Sequence, residues 1–204
     1  MADNRRGKFD GAKQKPEFEE RVVEISRVSR VVKGGRRIRF RILVVIGNQR
    51  GKIGYGIAKA NEVSVGIKKA VNQAKKKMIE VPIVNGTIPY QVVQELGNAK
   101  IFLKPASQGT SIVAGGVIRV IAELAGIKNL LSKVIGTQNK VNNVKAVFEA
   151  FKNFDPDKVE IIKNRYAESK KVEIEKNSTP KVVEEKIVNV IEKKQKIIKR
   201  SRIK

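Results

Sequence analysis

Residues 33–60 read KGGRRIRFRILVVIGNQRGKIGYGIAKA, and this stretch places two glycine-containing turns around a run of β-forming residues. Within the run, alternate residues on one face of a strand are apolar, namely Ile38, Phe40, Ile42, Val44 and Ile46. The other face begins with arginines and ends with aliphatic residues, namely Arg37, Arg39, Arg41, Leu43 and Val45. The stretch therefore predicts a central antiparallel strand with a guanidinium-rich end.

The neighbouring segments extend this strand into a small unit. VVEISRVSRVV before it predicts a first strand, and Lys52 to Ala60 predicts a third. Gly54 and Gly56 in the third strand indicate a bulge or the close approach of another backbone. A helix is expected from about Glu62 to Ile79, with Asn61 as N-cap. Its apolar stripe is Val63, Ile67, Ala70, Val71, Ala74 and Met78. We therefore expect a β-β-β-α unit over residues 17–80.

Charge is the strongest functional signal. The 204 residues include 44 Lys and Arg against 20 Asp and Glu, a formal net charge of +24. From Arg27 to Asn61 there are ten basic residues and no acidic one. Such a one-signed stretch is typical of a surface that neutralises phosphates. The residues expected to contact RNA are Arg27, Arg30, Lys33, Gly34, Gly35, Arg36, Arg37, Arg39, Arg41, Arg50, Lys52 and Lys59. The two turn glycines are included because they let the main chain approach closely.

The missing residue types argue against catalysis. Without cysteine or histidine, the chain has no thiolate nucleophile, no imidazole base and no metal site built on either residue. The glycines around residues 47–59 match neither a P-loop nor a dinucleotide fingerprint. We therefore expect no enzyme activity, no metal, no cofactor and no small-molecule substrate. The sequence shows no apolar membrane span and no N-terminal secretory signal, so we expect a soluble intracellular protein.

A second α+β unit is expected over residues 81–154. Asn85-Gly86 predicts a hairpin turn, and a largely apolar helix is expected from about Ser111 to Ala125, closed by Gly126. Arg119 and Glu123 lie four residues apart on that helix, so they either pair with each other or contact a partner. Residues 1–16 are interpreted as a flexible basic arm, and residues 155–204 as a charged, partly helical tail.

Two readings of the basic surface stay open at this point. A protein that binds double-stranded RNA would use the basic first unit. A binder of anionic membranes would instead need basic amphipathic helices, which only the tail offers. Tyr55 is the single aromatic residue placed to stack on a base, and a packed edge aromatic is its alternative.

Four long motifs closely resemble the family of bacterial small-subunit ribosomal protein S-five. They are RVSRVVKGGRRIRF, VVIGNQRGKIGYGIAKANEV, KIFLKPASQGTSIVAGGVIRVIAELAG and NLLSKVIGTQNKVNNVKA, in that order. The resemblance extends from about Glu17 to Phe154 and leaves the tail uncovered. This chain departs from the family pattern at Ala58 and Ser111, where glycine is usual, and at Ser64, where proline is common.

The resemblance implies a fold and a set of partners. The first unit would be a variant of the double-stranded-RNA-binding fold, and the second an α+β domain with a left-handed βαβ crossover. The protein would bind small-subunit ribosomal RNA, support assembly and contact ribosomal proteins S-four and S-eight near the messenger-RNA entry path. It would affect decoding accuracy at the boundary with S-four, where Ser111 and Arg119 match accuracy-related positions. Its place would be the cytoplasm, in the ribosome.

Overall fold

The computed structural model describes residues 17–169, which contain two four-stranded sheets and the helices that cover them. The elements occur in the order β1 (Glu19–Val32), β2 (Gly35–Gly47), β3 (Lys52–Ala60), α1 (Val63–Lys76), β4 (Met78–Glu80), β5 (Val92–Leu96), β6 (Ala99–Pro105), β7 (Ile112–Val113), α2 (Gly116–Ala125), β8 (Leu130–Gly136) and α3 (Lys140–Lys152). Residues 156–169 are also helical. The α+β class predicted from the sequence is confirmed.

The first sheet has the order β1-β2-β3-β4, with every pair antiparallel. The three predicted strands are present, but the predicted helix is too long at its C-terminus. It ends at Lys76, and Met78–Glu80 pairs with the start of β3 as a fourth strand. Met78 still packs against the core, which is why it fits the helical stripe in the sequence. The N-cap is Glu62 and not the expected Asn61.

Helix α1 covers one face of the first sheet. Its predicted stripe packs on the apolar face of β2, where Ile42, Val44 and Ile46 are fully buried. A Cβ at Gly54 or Gly56 would collide with carbonyl oxygens of α1. The register between β2 and β3 is unbroken. The two glycines therefore serve close packing of helix on strand, and they do not mark a bulge.

The second sheet has the order β5-β6-β8-β7, and β7 runs parallel to β8. Helix α2 connects these two strands, so a βαβ unit is present; its left-handed crossover stays a prediction. The helix predicted from Ser111 begins later, at Gly116. Ser111 has a φ of 61° and Gly115 is extended, so the backbone between them cannot be helical. It forms the short strand β7 instead. The helix ends at Gly126, which has a φ of 87°, as predicted.

The turn between β2 and β3 binds the C-terminal end of α2. The Gln49 N–H donates to the Leu124 carbonyl at 2.9 Å, and the Gly51 N–H donates to the Ala125 carbonyl at 2.8 Å. The last carbonyls of a helix have no partner within it, so this turn satisfies two of them. Helix α2 thereby lies against β2 on the face opposite α1.

By their contacts, the residues form one compact unit that ends at Asn153 and a second that begins at Phe154. Both sheets belong to the first unit. The predicted arm over residues 1–16 and the part of the predicted tail after residue 169 lie outside the described residues. The division into domains over residues 17–80, 81–154 and 155–204 stays a prediction.

Candidate nucleic-acid interface

Strands β1 and β2 continue past the helices as a hairpin extension, which we define as residues 26–41. Along β2, residues Ile42–Gly47 are buried, Phe40 and Arg41 are half-buried, and Gly35–Arg39 are exposed. The exposed end includes the arginines that the sequence singled out. The candidate interface is therefore the part of the sheet that neither α1 nor α2 covers.

One face of the hairpin extension, together with the neighbouring Lys59 of β3, gathers five cations, and we call it the arginine face. Its members are Arg30, Arg37, Arg39, Arg41 and Lys59. The register pairs Arg30 directly with Arg37 and Arg41 directly with Lys59. Like charges placed directly opposite each other across strands repel and destabilise a sheet. An arrangement of this kind is stabilised when a polyanion lies across it.

The arginine at the base of this face is held in place. Ser26 lies opposite Arg41, and the Arg41 Nε donates to the Ser26 Oγ at 3.1 Å. Sequence reasoning missed Ser26, although the strand pairing could have indicated it. The bond occupies the Nε donor of Arg41 and leaves its Nη donors for other partners.

The opposite face and the tip carry five more of the predicted contacts. Arg27 lies across from Phe40 and Arg36 across from Val31, so both project on the α1 side. Lys33 and Gly34 form the two-residue turn, which Gly35 follows with a φ of 118°. A Cβ at Gly34 or Gly35 would meet no atom within 4 Å, so the tip leaves room for a close approach. The hairpin extension therefore presents cations on both faces and at its end.

Two of the predicted residues do not join this cluster. Arg50 and Lys52 lie at the opposite end of β2 and β3, in and after the turn that binds α2. Their backbone N–H groups donate to the Asn48 Oδ1 at 2.8 and 3.0 Å. Both side chains are exposed. They would contact a different part of any ligand from the arginine face.

Tyr55 is packed and does not lie beside the arginine face. Its ring contacts Phe148 of α3 edge to face, with 4.6 Å between ring centroids. This favours the packed reading of Tyr55 over a base-stacking one. The interface is therefore cationic, without a stacking aromatic among the predicted contacts.

The second predicted interface involves Ser111 and Arg119. Glu123 pairs with Arg21 of β1 at 2.6 Å and not with Arg119. Of the two alternatives for Arg119 and Glu123, the helical pair is therefore absent, and within residues 17–169 Arg119 has no ion-pair partner. Sequence reasoning missed Arg21, because its partner lies 102 residues away. Arg119 is exposed and available to a partner.

Ser111 occupies a backbone conformation that favours glycine. Its φ is 61°, and its N–H donates to the buried Asn129 side chain at 3.1 Å. The left-handed region is strained for residues with a Cβ. A glycine at this position would not carry this strain. Asn129, which sequence reasoning also missed, holds the strained segment.

Two other kinds of site were sought in the described part of the chain, a metal centre and a membrane-spanning helix. Residues 17–169 contain no cluster of three or more carboxylate, histidine or cysteine side chains able to hold a metal ion. No helix within the same residues is long and apolar enough to span a bilayer. The fold and the arginine face together define a basic α+β protein whose surface is suited to a polyanion.

The two halves of the chain match two family models in sequence. One is described as "Ribosomal protein S5, N-terminal domain" and matches residues 18–82. The other is described as "Ribosomal protein S5, C-terminal domain" and matches residues 94–165. The chain belongs to the ribosomal protein S5 family, as its motifs indicate.

Curated relatives agree with this assignment. The "Small ribosomal subunit protein uS5" of Thermotoga maritima is 48% identical over 147 residues, which cover 72% of this chain and 83% of that protein. The protein of the same name from a Hydrogenobaculum species is 54% identical over 134 residues, covering 66% of this chain and 71% of that one. The chain is a structural component of the small ribosomal subunit, and as such it acts in the cytoplasm; the family is not one of enzymes.

Proposed function

We propose that the chain binds small-subunit ribosomal RNA through its hairpin extension and so supports assembly of the subunit. The observation that carries the proposal is the arginine face, where Arg30 lies directly opposite Arg37 and Arg41 directly opposite Lys59. A folded RNA presents phosphates and 2′-hydroxyls more readily than base edges, and arginine binds phosphates through a bidentate fork. Three polyanions could lie on this face: a ribosomal RNA, another double-stranded RNA or an anionic membrane. Family membership favours the ribosomal RNA.

In this proposal, residues 17–80 form the RNA-binding domain, and Arg27, Lys33 and Arg36 extend the contact around the tip. Gly34 and Gly35 let the main chain come close to the backbone of the RNA. Arg50 and Lys52 would reach a separate RNA segment. If about six phosphates are contacted, affinity should fall on the order of a thousandfold from low to moderate salt.

The test replaces Arg36, Arg37 and Arg39 by Glu in the full-length chain. All three side chains are exposed, so the fold should survive while three attractive contacts become repulsive. We expect affinity for a small-subunit RNA fragment to fall by at least about a hundredfold, and incorporation into small subunits to be lost. Binding is measured by filter retention, and incorporation by sedimentation.

A matched control makes the same charge change elsewhere. Lys128, Lys145 and Lys152 are exposed and lie outside both the hairpin extension and the open face of the second sheet, so their replacement by Glu alters net charge equally. The control should weaken RNA binding far less. Equal loss in both triple variants would show that only total charge matters, and normal incorporation of the hairpin variant would refute the proposal.

We further propose that residues 81–154 face other ribosomal proteins, S-four and S-eight, beside the messenger-RNA entry path. The open face of the second sheet supports a protein partner, since Val93, Val113 and Ile135 are each about half exposed on it. These three side chains are distributed over the open face and are available to a protein partner. The unpaired Arg119 and the strained segment at Ser111 support the boundary with S-four, through which decoding accuracy would be affected.

The boundary is tested by Arg119→Glu, with Lys128→Glu as the control. Both side chains are exposed, and the two substitutions make the same charge change. We expect Arg119→Glu to change misreading of a near-cognate codon by reconstituted subunits severalfold, because it turns an attractive contact at the boundary into a repulsive one. The control should leave misreading unchanged. Misreading that is unaffected by Arg119→Glu would remove this residue from the boundary.

A further inference from the structure

A shallow cavity of about 450 Å³, open to solvent, lies where β2, β3 and the start of α1 meet, beside the arginine face. The residues that line it are Arg39, Lys59, Ala60, Asn61, Glu62, Val65 and Lys69. Arg39 and Lys59 belong to the arginine face, whereas Lys69 comes from the second turn of α1. At the cavity, Lys69 of α1 therefore joins Arg39 and Lys59, two cations that the sheet already places together.

The charges around the cavity are unbalanced. Arg39, Lys59 and Lys69 contribute three positive charges, and none of them has an ion-pair partner within residues 17–169. Glu62 is the carboxylate that lines the cavity, and its side chain does not cap the helix. The net charge of the lining is thus +2. Three cations around one concave space are stabilised when an anion occupies it.

The kinds of donor indicate which anion fits. A guanidinium offers two parallel donors, an ammonium acts as a compact point charge, and the Asn61 amide adds neutral donors. Donors that arrive from three elements suit a group with several oxygen atoms pointing in different directions, as in a phosphate. Val65, which is 53% exposed, provides an apolar wall against which a sugar could lie.

We propose that this cavity holds one phosphate group, with Lys69 as a contact that the hairpin alone does not supply. The proposal deepens the RNA-binding function proposed above and rests on it for the source of the phosphate. The same chemistry applies to a phosphodiester of RNA and to free phosphate. In the RNA complex the cavity would fix the position of the backbone where it passes from the hairpin extension to α1.

The test uses the full-length chain labelled with ¹⁵N and titrated with inorganic phosphate, with chloride at matched ionic strength as the reference. Amide signals of residues 60–65 should shift and saturate with phosphate but not with chloride. Lys69→Gln should weaken this binding about tenfold, because it removes one charged hydrogen bond. Lys76→Gln is the control, since Lys76 is exposed on the same helix outside the cavity lining and should change binding less than about twofold.

Glu62→Gln gives a change of opposite sign. Removing the carboxylate should strengthen phosphate binding severalfold, which a merely structural role of Glu62 would not produce. Equal effects of Lys69→Gln and Lys76→Gln on phosphate binding, or no phosphate-specific shift at residues 60–65, would overturn the proposed site.

A second arm repeats the comparison with a small-subunit RNA fragment. Lys69→Gln should reduce RNA affinity several times more than Lys76→Gln. If the hairpin triple variant loses RNA binding while the two lysine variants behave alike, the cavity site fails and the RNA-binding function stands. If phosphate binds in the cavity but the hairpin triple variant keeps its RNA affinity, the proposed function fails and the site stands.

Discussion

The two halves of β2 have the same alternating pattern of side chains but different surroundings. In the inner half, Ile42 packs against α1, Leu43 lies on the opposite face of the strand, and both are buried. In the outer half, Ile38 and Arg39 occupy the corresponding faces and both are exposed. One strand therefore serves as the centre of the core at one end and as a cationic surface at the other.

This difference shows how the fold positions the candidate site. The inner half is fixed on both faces by helices, and the β2–β3 turn holds the end of α2. The outer half needs no covering helix because antiparallel pairing with β1 continues to the tip. The inner part of the hairpin thus contributes mainly to stability, and the outer part mainly to binding. A substitution in one part can therefore change one property and leave the other unchanged.

The largest effect on this comparison should come from matched truncations of isoleucine. Ile42→Ala removes a fully buried side chain from the core and should lower the free energy of unfolding by about 3 kcal/mol. Ile38→Ala, at a position that is 49% exposed, should cost less than about 1 kcal/mol. Urea unfolding of the two variants measures both values. Similar losses at the two positions would mean that the outer half is also part of the core.

The local sequence pattern was sufficient to predict which residues lie on each face of β2 and which residues form the apolar stripe of α1. Alternation with a period of two assigned Ile42 and Arg39 to opposite faces, and both assignments are confirmed. The pattern could not show which end of the strand is covered, because one of the covering helices, α2, comes from residues 116–125. Burial at the inner end depends on contacts between distant parts of the chain.

The errors have the same origin. The helix α1 was extended too far because Met78 fits a helical period, although it contacts the core from a strand. Arg119 and Glu123 have the spacing of a helical pair, but Arg21 is the partner of Glu123. The strain at Ser111 appears only when its φ is known. In each case a contact or conformation set by tertiary structure overrides a sound local pattern.

The candidate site was foreseeable as a set of residues but not as a geometry. The run of basic residues predicted the hairpin, and the register then separates those on the arginine face from Arg27 and Arg36. Arg50 and Lys52 belong to the same run but lie at the other end of the strands. Lys69 was not singled out, because its approach to Arg39 and Lys59 depends on how α1 packs against the sheet.

The smallest effect expected is also the one that separates stability from binding most sharply. Arg30→Glu replaces a repulsive cross-strand pair with an attractive one, since Arg37 lies directly opposite. The free energy of unfolding should rise by about 0.5 kcal/mol at low salt and less at high salt. RNA affinity should fall at the same time. The slope of log affinity against log salt concentration should become shallower by about one, which corresponds to the loss of about one phosphate contact.

The neutral variant Arg30→Gln serves as the control and should lie between the parent and Arg30→Glu in both measurements. Thermal unfolding at two salt concentrations measures the stability. RNA titration over the same salt range measures the affinity and, from its salt dependence, the number of phosphate contacts. A gain in stability with unchanged RNA affinity would place Arg30 outside the interface. A loss of stability would mean that the cross-strand arginines are not in repulsive contact, and the argument that a polyanion relieves them would fail. The expected opposition between the two measurements follows because the outer half of β2 is arranged for a ligand that the free protein lacks.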